Sequence, residues 1–242
     1  MVRIIPRIGD SRLLSNEERQ VPVQIYEIPE LYKRYRWCNR HGLWGYGADE
    51  FPHFEWINSL ERRFSRIERA PSEAPIYLFR EMIHWGGSQN GVLENFELQL
   101  GTYNFANSLE KVRSALDDPE TAIAAALDIP GIGLSYASKL LRFLKPEIYG
   151  VLDRKILDFL KRSQTPFRKV RPSSKSSMVQ GYAEFLELLS QLKTELEASQ
   201  IWRPNESDDR LAWRAADVEM ALFQRAVESP RRGTAHAVRL QE

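Results

Sequence analysis

The chain has 242 residues, of which 43% are hydrophobic and 28% charged, and its formal net charge is +1. This is the composition of an ordinary soluble globular protein, long enough for one large domain or two small ones. No apolar run approaches the length that a membrane span needs and the N-terminus lacks the apolar core of a signal peptide, so we exclude a membrane-spanning protein and expect a cytoplasmic one.

The first part of the chain predicts an irregular arm followed by helices. Residues 1–28 mix short β-type runs with prolines and predict an N-terminal arm without regular structure. Pro29 suits the first position of a helix over residues 29–40, with Gly42 as its C-cap. Residues 43–47 form a glycine-aromatic turn that either packs into the core or stacks on a base.

Three further helices are predicted before the middle of the chain. Residues 51–69 form an amphipathic pattern, and residues 75–85 form a helix ended by Gly86 and Gly87. A third helix is expected over residues 107–117, capped by Asn107 or Ser108. On the first of these helices the pattern places five apolar residues inward and five charged residues outward: Phe54, Ile57, Leu60, Phe64 and Ile67 against Glu61, Arg62, Arg63, Arg66 and Arg69.

Two helices separated by a very short turn follow. The first covers residues 119–127, and the second carries an apolar stripe at the i, i+3, i+4, i+7 spacing. Only residues 129–133 are left to turn the chain. The stripe of the second helix is Ala137, Leu140, Leu141 and Leu144, which places Ser138, Lys139 and Arg142 on the opposite face.

The turn has the residues of an anion-binding loop. Gly131 and Gly133 flank one apolar residue, and both are expected to allow positive φ and close backbone approach to a ligand. Their N–H groups then lie beside the free N–H groups of a helix N-terminus, which favours a phosphate. We therefore predict a phosphate-binding hairpin unit over residues 119–145.

The remaining chain completes an all-α fold. Asp153 opens a helix to about residue 162, residues 163–177 have loop composition, and further helices are predicted over residues 181–196 and 207–227, the last capped by Ser207. We therefore expect a single helical domain at residues 29–228 between the arm and a flexible tail at residues 229–242.

Charge is unevenly distributed along the chain. Residues 134–175 contain eleven Lys or Arg against three acidic residues, a local net charge of +8, whereas residues 176–228 have a net charge of −5. A basic block that begins at the hairpin predicts binding to a polyanion such as nucleic acid.

The same stretch carries a family resemblance. Ile-Pro-Gly-Ile-Gly at residues 129–133, then Ala137 and Leu152-Asp153, is similar to the helix-hairpin-helix DNA glycosylases, whose fold is that of oxoguanine glycosylase and endonuclease III. The separation of Asp153 from Gly131 also fits the spacing between that superfamily's hairpin and its essential aspartate. The resemblance implies a base-excision DNA repair hydrolase that flips a base from double-stranded DNA and cleaves its N-glycosidic bond, with Asp153 as the catalytic carboxylate.

The resemblance also implies roles for other residues. The hairpin is expected to hold a DNA phosphate, in the family often with a monovalent cation bound by hairpin carbonyls, and Gln89 falls where the family often has a side chain wedged into the duplex. Bifunctional members place a Schiff-base lysine at the position of Ser135, so Ser135 is similar to the monofunctional branch. The DNA-binding residues implied in this way are Gly131, Ile132, Gly133, Ser135, Lys139, Arg154, Lys155 and Gln89.

Some features depart from the family pattern. The single cysteine, Cys38, excludes the four-cysteine iron–sulfur cluster of several members, and the four histidines lack ligand spacing, so we expect no resident metal or other cofactor. Gln89 lies closer to Gly131 along the chain than in the family's usual helical barrel, which implies a trimmed barrel if Gln89 is the wedge. The trimmed barrel resembles small bacterial proteins with an oxoguanine-glycosylase-like fold found beside antiviral defence genes.

Three functions are compatible with these patterns. The first is a monomeric DNA glycosylase, and the second is a non-catalytic helix-hairpin-helix DNA-binding protein in which Asp153 only caps its helix. The third is an interaction protein in which the hairpin sequence has no DNA-binding role. The spacing between Gly131 and Asp153 favours the first.

Overall fold

A computed structural model describes residues 22–37, 54–67, 74–163, 167, 170–205, 207 and 209–229. In these ranges the chain forms ten α-helices, two short 3-10 turns and no strand, and one isolated bridge pairs Arg203 with Leu211. The prediction of an all-α fold is confirmed. The helices are α1 Ile28–Lys33, α2 Glu55–Phe64, α3 Ala74–Trp85, α4 Val92–Gln99, α5 Phe105–Ser114, α6 Pro119–Ala126, α7 Leu134–Leu144, α8 Arg154–Arg162, α9 Lys175–Ala198 and α10 Ala215–Glu228.

The last helix is surrounded by the others. Nearly every residue of α10 from Ala215 to Ala226 is buried, as expected for a helix covered on all sides. It packs against α1, α8 and α9, while α6 packs against α5, α7 and α9. The other face of α7 contacts α2 and α3, so the predicted hairpin unit lies between the N-terminal and C-terminal helices.

Several helix boundaries differ from the sequence prediction because tertiary hydrogen bonds compete with helix continuation. The helix predicted over residues 29–40 ends at Lys33, since the Arg36 N–H donates to Gln224 Oε1 at 3.0 Å and the Trp37 Nε1–H donates to the Trp85 carbonyl at 2.7 Å. The helix predicted from Asn107 begins at Phe105, because Asn104 supplies the capping oxygen to the Asn107 N–H.

The last predicted helix also begins later than expected. Ser207 does not cap a helix; its N–H donates to Asn205 Oδ1 at 2.9 Å in a turn, and the chain becomes helical only after Arg214. The Trp213 Nε1–H donates to the Ile201 carbonyl at 2.8 Å and holds this loop against the core. The sequence pattern also fails to predict α4, a short helix that begins after Gly91.

The polar face of α7 and Glu61 on α2 are not exposed as predicted, whereas Arg62 and Arg63 of α2 are exposed as predicted. The sequence pattern places Ser138, Lys139 and Arg142 on the outer face of α7, yet their relative exposures are 0%, 6% and 1%. Arg142 Nη1 lies 2.7 Å from Glu61 Oε1 on α2, and the same Glu61 contacts Arg214 Nη1 through Oε2 at 2.8 Å. The predicted solvent faces are therefore partly internal ionic contacts between helices.

Some predictions lie outside the described residues, among them most of the N-terminal arm, the turn at residues 43–47, Cys38 and the C-terminal tail. Within the part that is described, no helix combines the length and apolarity needed to cross a bilayer.

Candidate DNA-binding and catalytic site

The connection between α6 and α7 places its two glycines in different conformations. Gly131 has φ +81°, and a Cβ atom added there lies 3.1–3.2 Å from atoms of Asn95 and Phe96, so both conformation and packing require glycine. Gly133 has φ −106° and ψ −173°, an extended conformation open to any residue, and nothing lies within 4 Å of an added Cβ. The prediction of positive φ is therefore right for Gly131 and wrong for Gly133.

The hairpin presents unpaired backbone groups. Within the described residues, the N–H groups of residues 131–135 donate to no acceptor, and the first bonds of α7 run from Tyr136 and Ala137 to the Gly133 carbonyl. Gly131 and Gly133 are exposed, while Ile132 and Leu134 are buried beneath them. Free N–H groups at the N-terminus of an eleven-residue helix favour an anion.

Asp153 is the N-cap of α8, as predicted. Its Oδ1 accepts from the Ile156 N–H at 2.9 Å, and within the described chain Oδ2 has no hydrogen-bond partner. The side chain is partly exposed. One carboxylate oxygen therefore caps the helix while the other remains available to a substrate or water.

Lys139 brings an amine to the position of Ser135. Its Nζ lies 2.8 Å from Ser135 Oγ and 3.4 Å from the Ser135 carbonyl, one turn towards the N-terminus of α7. Burial lowers the pKa of Lys139, against the opposing charges of Asp153 and Glu219. Lys139, Asp153 and the buried Glu219 of α10 therefore form one electrostatically coupled group.

Gln89 lies in a loop attached to α7. Gly87, Ser88, Asn90 and Gly91 all have positive φ, which is uncommon for serine and asparagine. The exposed Gln89 donates its backbone N–H to Tyr136 Oη at 3.2 Å, and that hydroxyl donates to the Gly86 carbonyl at 3.2 Å. The loop with the candidate wedge is thus bonded to the helix that follows the hairpin.

The two basic residues after Asp153 have different surroundings. The Arg154 side chain is 94% exposed and lies 3.7 Å from Asp158. Lys155 Nζ instead lies 5.2 Å from the centre of the Trp37 ring and 4.9 Å from that of Phe223. Both distances suit cation–π contacts. The Lys155 amine therefore interacts with two aromatic rings, one on α10 and one in the segment after α1.

Four residues of this region are not among the predicted site residues: Tyr136, Ser138, Glu219 and Trp37. Ser138 Oγ accepts the Leu152 N–H at 3.0 Å, directly before Asp153. Glu219 is one of three buried polar residues of α10, with Asp217 and Gln224, and its sequence gives no sign of a role at the site before the burial of this helix is known. Within the described residues, no group of three or more His, Cys, Asp or Glu side chains is arranged to hold a metal ion.

Comparison with known proteins identifies the family of the chain. Neither the curated proteins nor the solved structures contain a match to the chain. Residues 43–223 match the family described as "Putative 8-oxoguanine DNA glycosylase OGG-like protein", a match that covers most of the chain, including the hairpin, Gln89 and Asp153. The chain therefore belongs to this OGG-like DNA glycosylase family, which implies DNA as its partner.

Proposed function

We propose that this protein is a monofunctional DNA glycosylase in which Asp153 is the catalytic carboxylate. The observation that carries the proposal is the geometry of the Asp153 carboxylate. Its Oδ1 caps α8, and its Oδ2 has no hydrogen-bond partner within the described residues. Its Coulombic coupling to Lys139, whose amine contacts Ser135 near the start of α7, supports a common site with the hairpin.

The chemistry follows from the charge that develops during bond cleavage. Breaking an N-glycosidic bond builds positive charge on the sugar, and a preorganised carboxylate beside C1′ stabilises that charge. The second oxygen of Asp153 can also orient the attacking water. The base must first leave the duplex, because its glycosidic bond is not accessible within the stack.

The hairpin and its neighbours supply the proposed DNA contacts. The N–H groups of residues 131–135 bind a backbone phosphate, Arg154 adds a charge, and Gln89 enters the space left by the flipped base. The carbonyl groups of residues 129–132 accept no hydrogen bond within the described chain, so this donor set fits a hard monovalent cation. Such a cation would add positive charge near the bound phosphate.

The family description makes oxidised guanine the first base to test. The enzyme is incubated with duplexes carrying one damaged or mismatched base, and alkali then reveals abasic sites as strand breaks. Asp153→Asn retains a good N-cap but removes the charge, so we expect folded protein, retained DNA binding and a rate at least about 100-fold lower. Asp158→Asn, one turn along the same helix, is the matched control and should retain activity.

The same assay distinguishes a glycosylase from a non-catalytic DNA-binding protein. Salt-dependent binding without base release from any of these duplexes would favour a non-catalytic DNA-binding protein, including one that acts in antiviral defence. Base release that survives Asp153→Asn would contradict the catalytic assignment. Our proposal places the protein in base-excision repair as a cytoplasmic monomer acting on double-stranded DNA.

A second candidate activity is DNA strand cleavage by a lysine amine. Ser135, at the position where bifunctional family members have their lysine, argues against this activity. The contact of Lys139 Nζ with Ser135 Oγ argues for it, because an amine one turn along the helix reaches the same position. An unprotonated Lys139 would add to the C1′ aldehyde of an abasic sugar and lose water to give an imine. Loss of a C2′ proton would then expel the 3′ phosphate.

Borohydride distinguishes the two activities on a duplex with a preformed abasic site. The amine pathway gives a covalent protein–DNA product that is lost in Lys139→Met and retained in Lys111→Met, the exposed control. Absence of the product in the wild type supports the monofunctional assignment.

A further inference from the structure

Three side chains from three helices hold the peptide segment that ends at Asp153. The Tyr182 hydroxyl on α9 donates to the Gly150 carbonyl at 2.9 Å. The Glu219 carboxyl group on α10 accepts the Val151 N–H. Ser138 on α7 accepts the Leu152 N–H at 3.0 Å, so consecutive peptides are fixed by side chains rather than by a helix or sheet.

Glu219 packs closely against this segment, as does Leu189 of α9. A Cβ added to Gly150 would lie 2.7 Å from Glu219 Cβ and 3.1 Å from its Cγ, so the backbone of residue 150 lies directly on the glutamate side chain. Glu219 is 4% exposed, and the other buried residues of α10 are apolar except Asp217 and Gln224. An isolated buried carboxyl group is destabilising in such a place unless it has a specific interaction to make.

Charged and titratable groups of three neighbouring helices interact with Glu219. Arg142 and Lys139 on α7 face it with positive charge, Asp153 faces it from the N-terminus of α8, and Tyr182 faces it from α9. The buried Glu219 carboxyl group therefore interacts electrostatically with the proposed catalytic carboxylate.

We propose that Glu219 is a positioning residue for Asp153, which holds the segment presenting that carboxylate and couples its own proton to the charge at the site. The inference rests on the proposed glycosylase function, since it assigns a regulatory group to the same site. With Glu219 protonated, Asp153 is the single negative charge facing the sugar. Ionised Glu219 adds a second negative charge behind Asp153, which further stabilises positive charge on the sugar.

Burial, together with the charge of Asp153, raises the pKa of Glu219 to about 8, against the lowering effect of Arg142 and Lys139. Ionisation therefore falls at mildly alkaline pH. Glu219→Gln retains an acceptor for the Val151 N–H but removes the titration, whereas Glu219→Met removes both. The two variants separate the positioning effect from the proton-linked effect.

The first experiment needs no substrate. Carboxyl-carbon NMR of the free wild-type protein should show the Asp153 signal shifting as Glu219 ionises near pH 8. The shift should disappear in Glu219→Gln and persist in Glu187→Gln, an exposed control on α9. In Lys139→Met it should move to higher pH, because a positive charge facing Glu219 is lost. An Asp153 signal unaffected by Glu219→Gln would overturn the coupling.

The second experiment measures single-turnover base release between pH 6 and 9. At pH 7 the Gln variant should stay within about twofold of the wild type, and Glu219→Met should be slower by about tenfold or more, with unchanged DNA affinity. Only the wild type should gain rate near pH 8. Equal activity of Glu219→Met, or parallel profiles of wild type and Glu219→Gln, would overturn the proposal. If the wild type releases no base, the proposed glycosylase function is wrong, and the NMR experiment still tests the coupling of Glu219 to Asp153. Circular dichroism shows whether Glu219→Met is folded. If it is not, the comparison of the wild type with Glu219→Gln tests the proposal.

Discussion

Gly131 and Gly133 lie close together in the hairpin, but the backbone conformation and packing require glycine only at residue 131. Gly131→Ala places a Cβ at φ +81° and within 3.1–3.2 Å of α4, so we expect it to lower the free energy of unfolding by about 1–2 kcal/mol or more. Gly133→Ala meets neither constraint and should leave the melting temperature nearly unchanged.

DNA binding should instead be sensitive to Gly133. An added Cβ at residue 133 occupies the space where a phosphate would approach the hairpin, so we expect about tenfold weaker binding by fluorescence anisotropy. Gly101→Ala, in another exposed turn with open space, is the control and should bind normally. Normal DNA binding by Gly133→Ala would contradict the proposed phosphate site.

The buried Glu219 also predicts a pH dependence of stability. Its folded pKa of about 8 lies above the ordinary value of 4.5, so the folded state binds more protons between these values. The stability that protonated Glu219 contributes is complete below about pH 4.5 and is lost as pH rises towards 8. Relative to the wild type, Glu219→Gln should gain up to about 1.4 kcal/mol of stability per pH unit within this window.

Urea unfolding of both proteins at several pH values tests this slope. Lys139 has a lowered pKa, so its own contribution has the opposite sign and is regained at higher pH. Comparing wild type with Glu219→Gln largely removes that contribution. Parallel stability curves from pH 4.5 to 8 would show that Glu219 is ionised in the folded protein at neutral pH.

At the scale of elements, Tyr136 joins α7 to the loop that carries Gln89. Tyr136→Phe removes the hydroxyl between the Gln89 N–H and the buried Gly86 carbonyl, which should cost about 1–2 kcal/mol of stability. It should also abolish hydrogen-exchange protection of the Gln89 amide. Tyr77→Phe on α3, a residue that is 61% exposed, is the control. Unchanged protection of the Gln89 amide in Tyr136→Phe would contradict the proposed attachment.

Helix positions could be predicted to a useful extent because local signals specify them. Asp153 caps α8 as predicted, and Pro119 begins α6 as predicted. The late start of α10 and the early end of α1 depend on partners far along the chain, such as the bond of Trp37 to Trp85. Periodicity and capping rules contain no information about such partners.

In the candidate site, too, residues with local sequence signals could be predicted and residues placed by tertiary packing could not. Gly131 and Asp153 carry local backbone signals, and sequence reasoning places both. Periodicity assigns Ser138 and Lys139 to a solvent face because they are polar, whereas tertiary packing encloses that face between helices. Glu219 contributes from a helix far along the chain from Asp153, a relation that only the folded chain creates.

At the scale of the whole molecule, the basic block is less available to DNA than its net charge of +8 indicates. Arg142 is paired with Glu61, Lys145 with Asp117 at 2.6 Å, and Lys175 with Asp128 at 2.5 Å. Eleven phosphate contacts would give a slope of log affinity against log salt near −10. With several cations engaged internally, we expect a clearly shallower slope, measured by anisotropy with duplex DNA between about 50 and 300 mM KCl.

Asp128 offers a direct test of these internal ion pairs, because it precedes the hairpin and is paired with Lys175. Asp128→Asn removes a negative charge beside the proposed phosphate site and releases a lysine. Affinity for duplex DNA should therefore rise, and the salt slope should steepen by about one. Glu120→Gln makes the same charge change at an exposed position of α6 and should leave the slope unchanged. If Asp128→Asn binds DNA no more tightly and with the same slope, the phosphate lies elsewhere than at the hairpin.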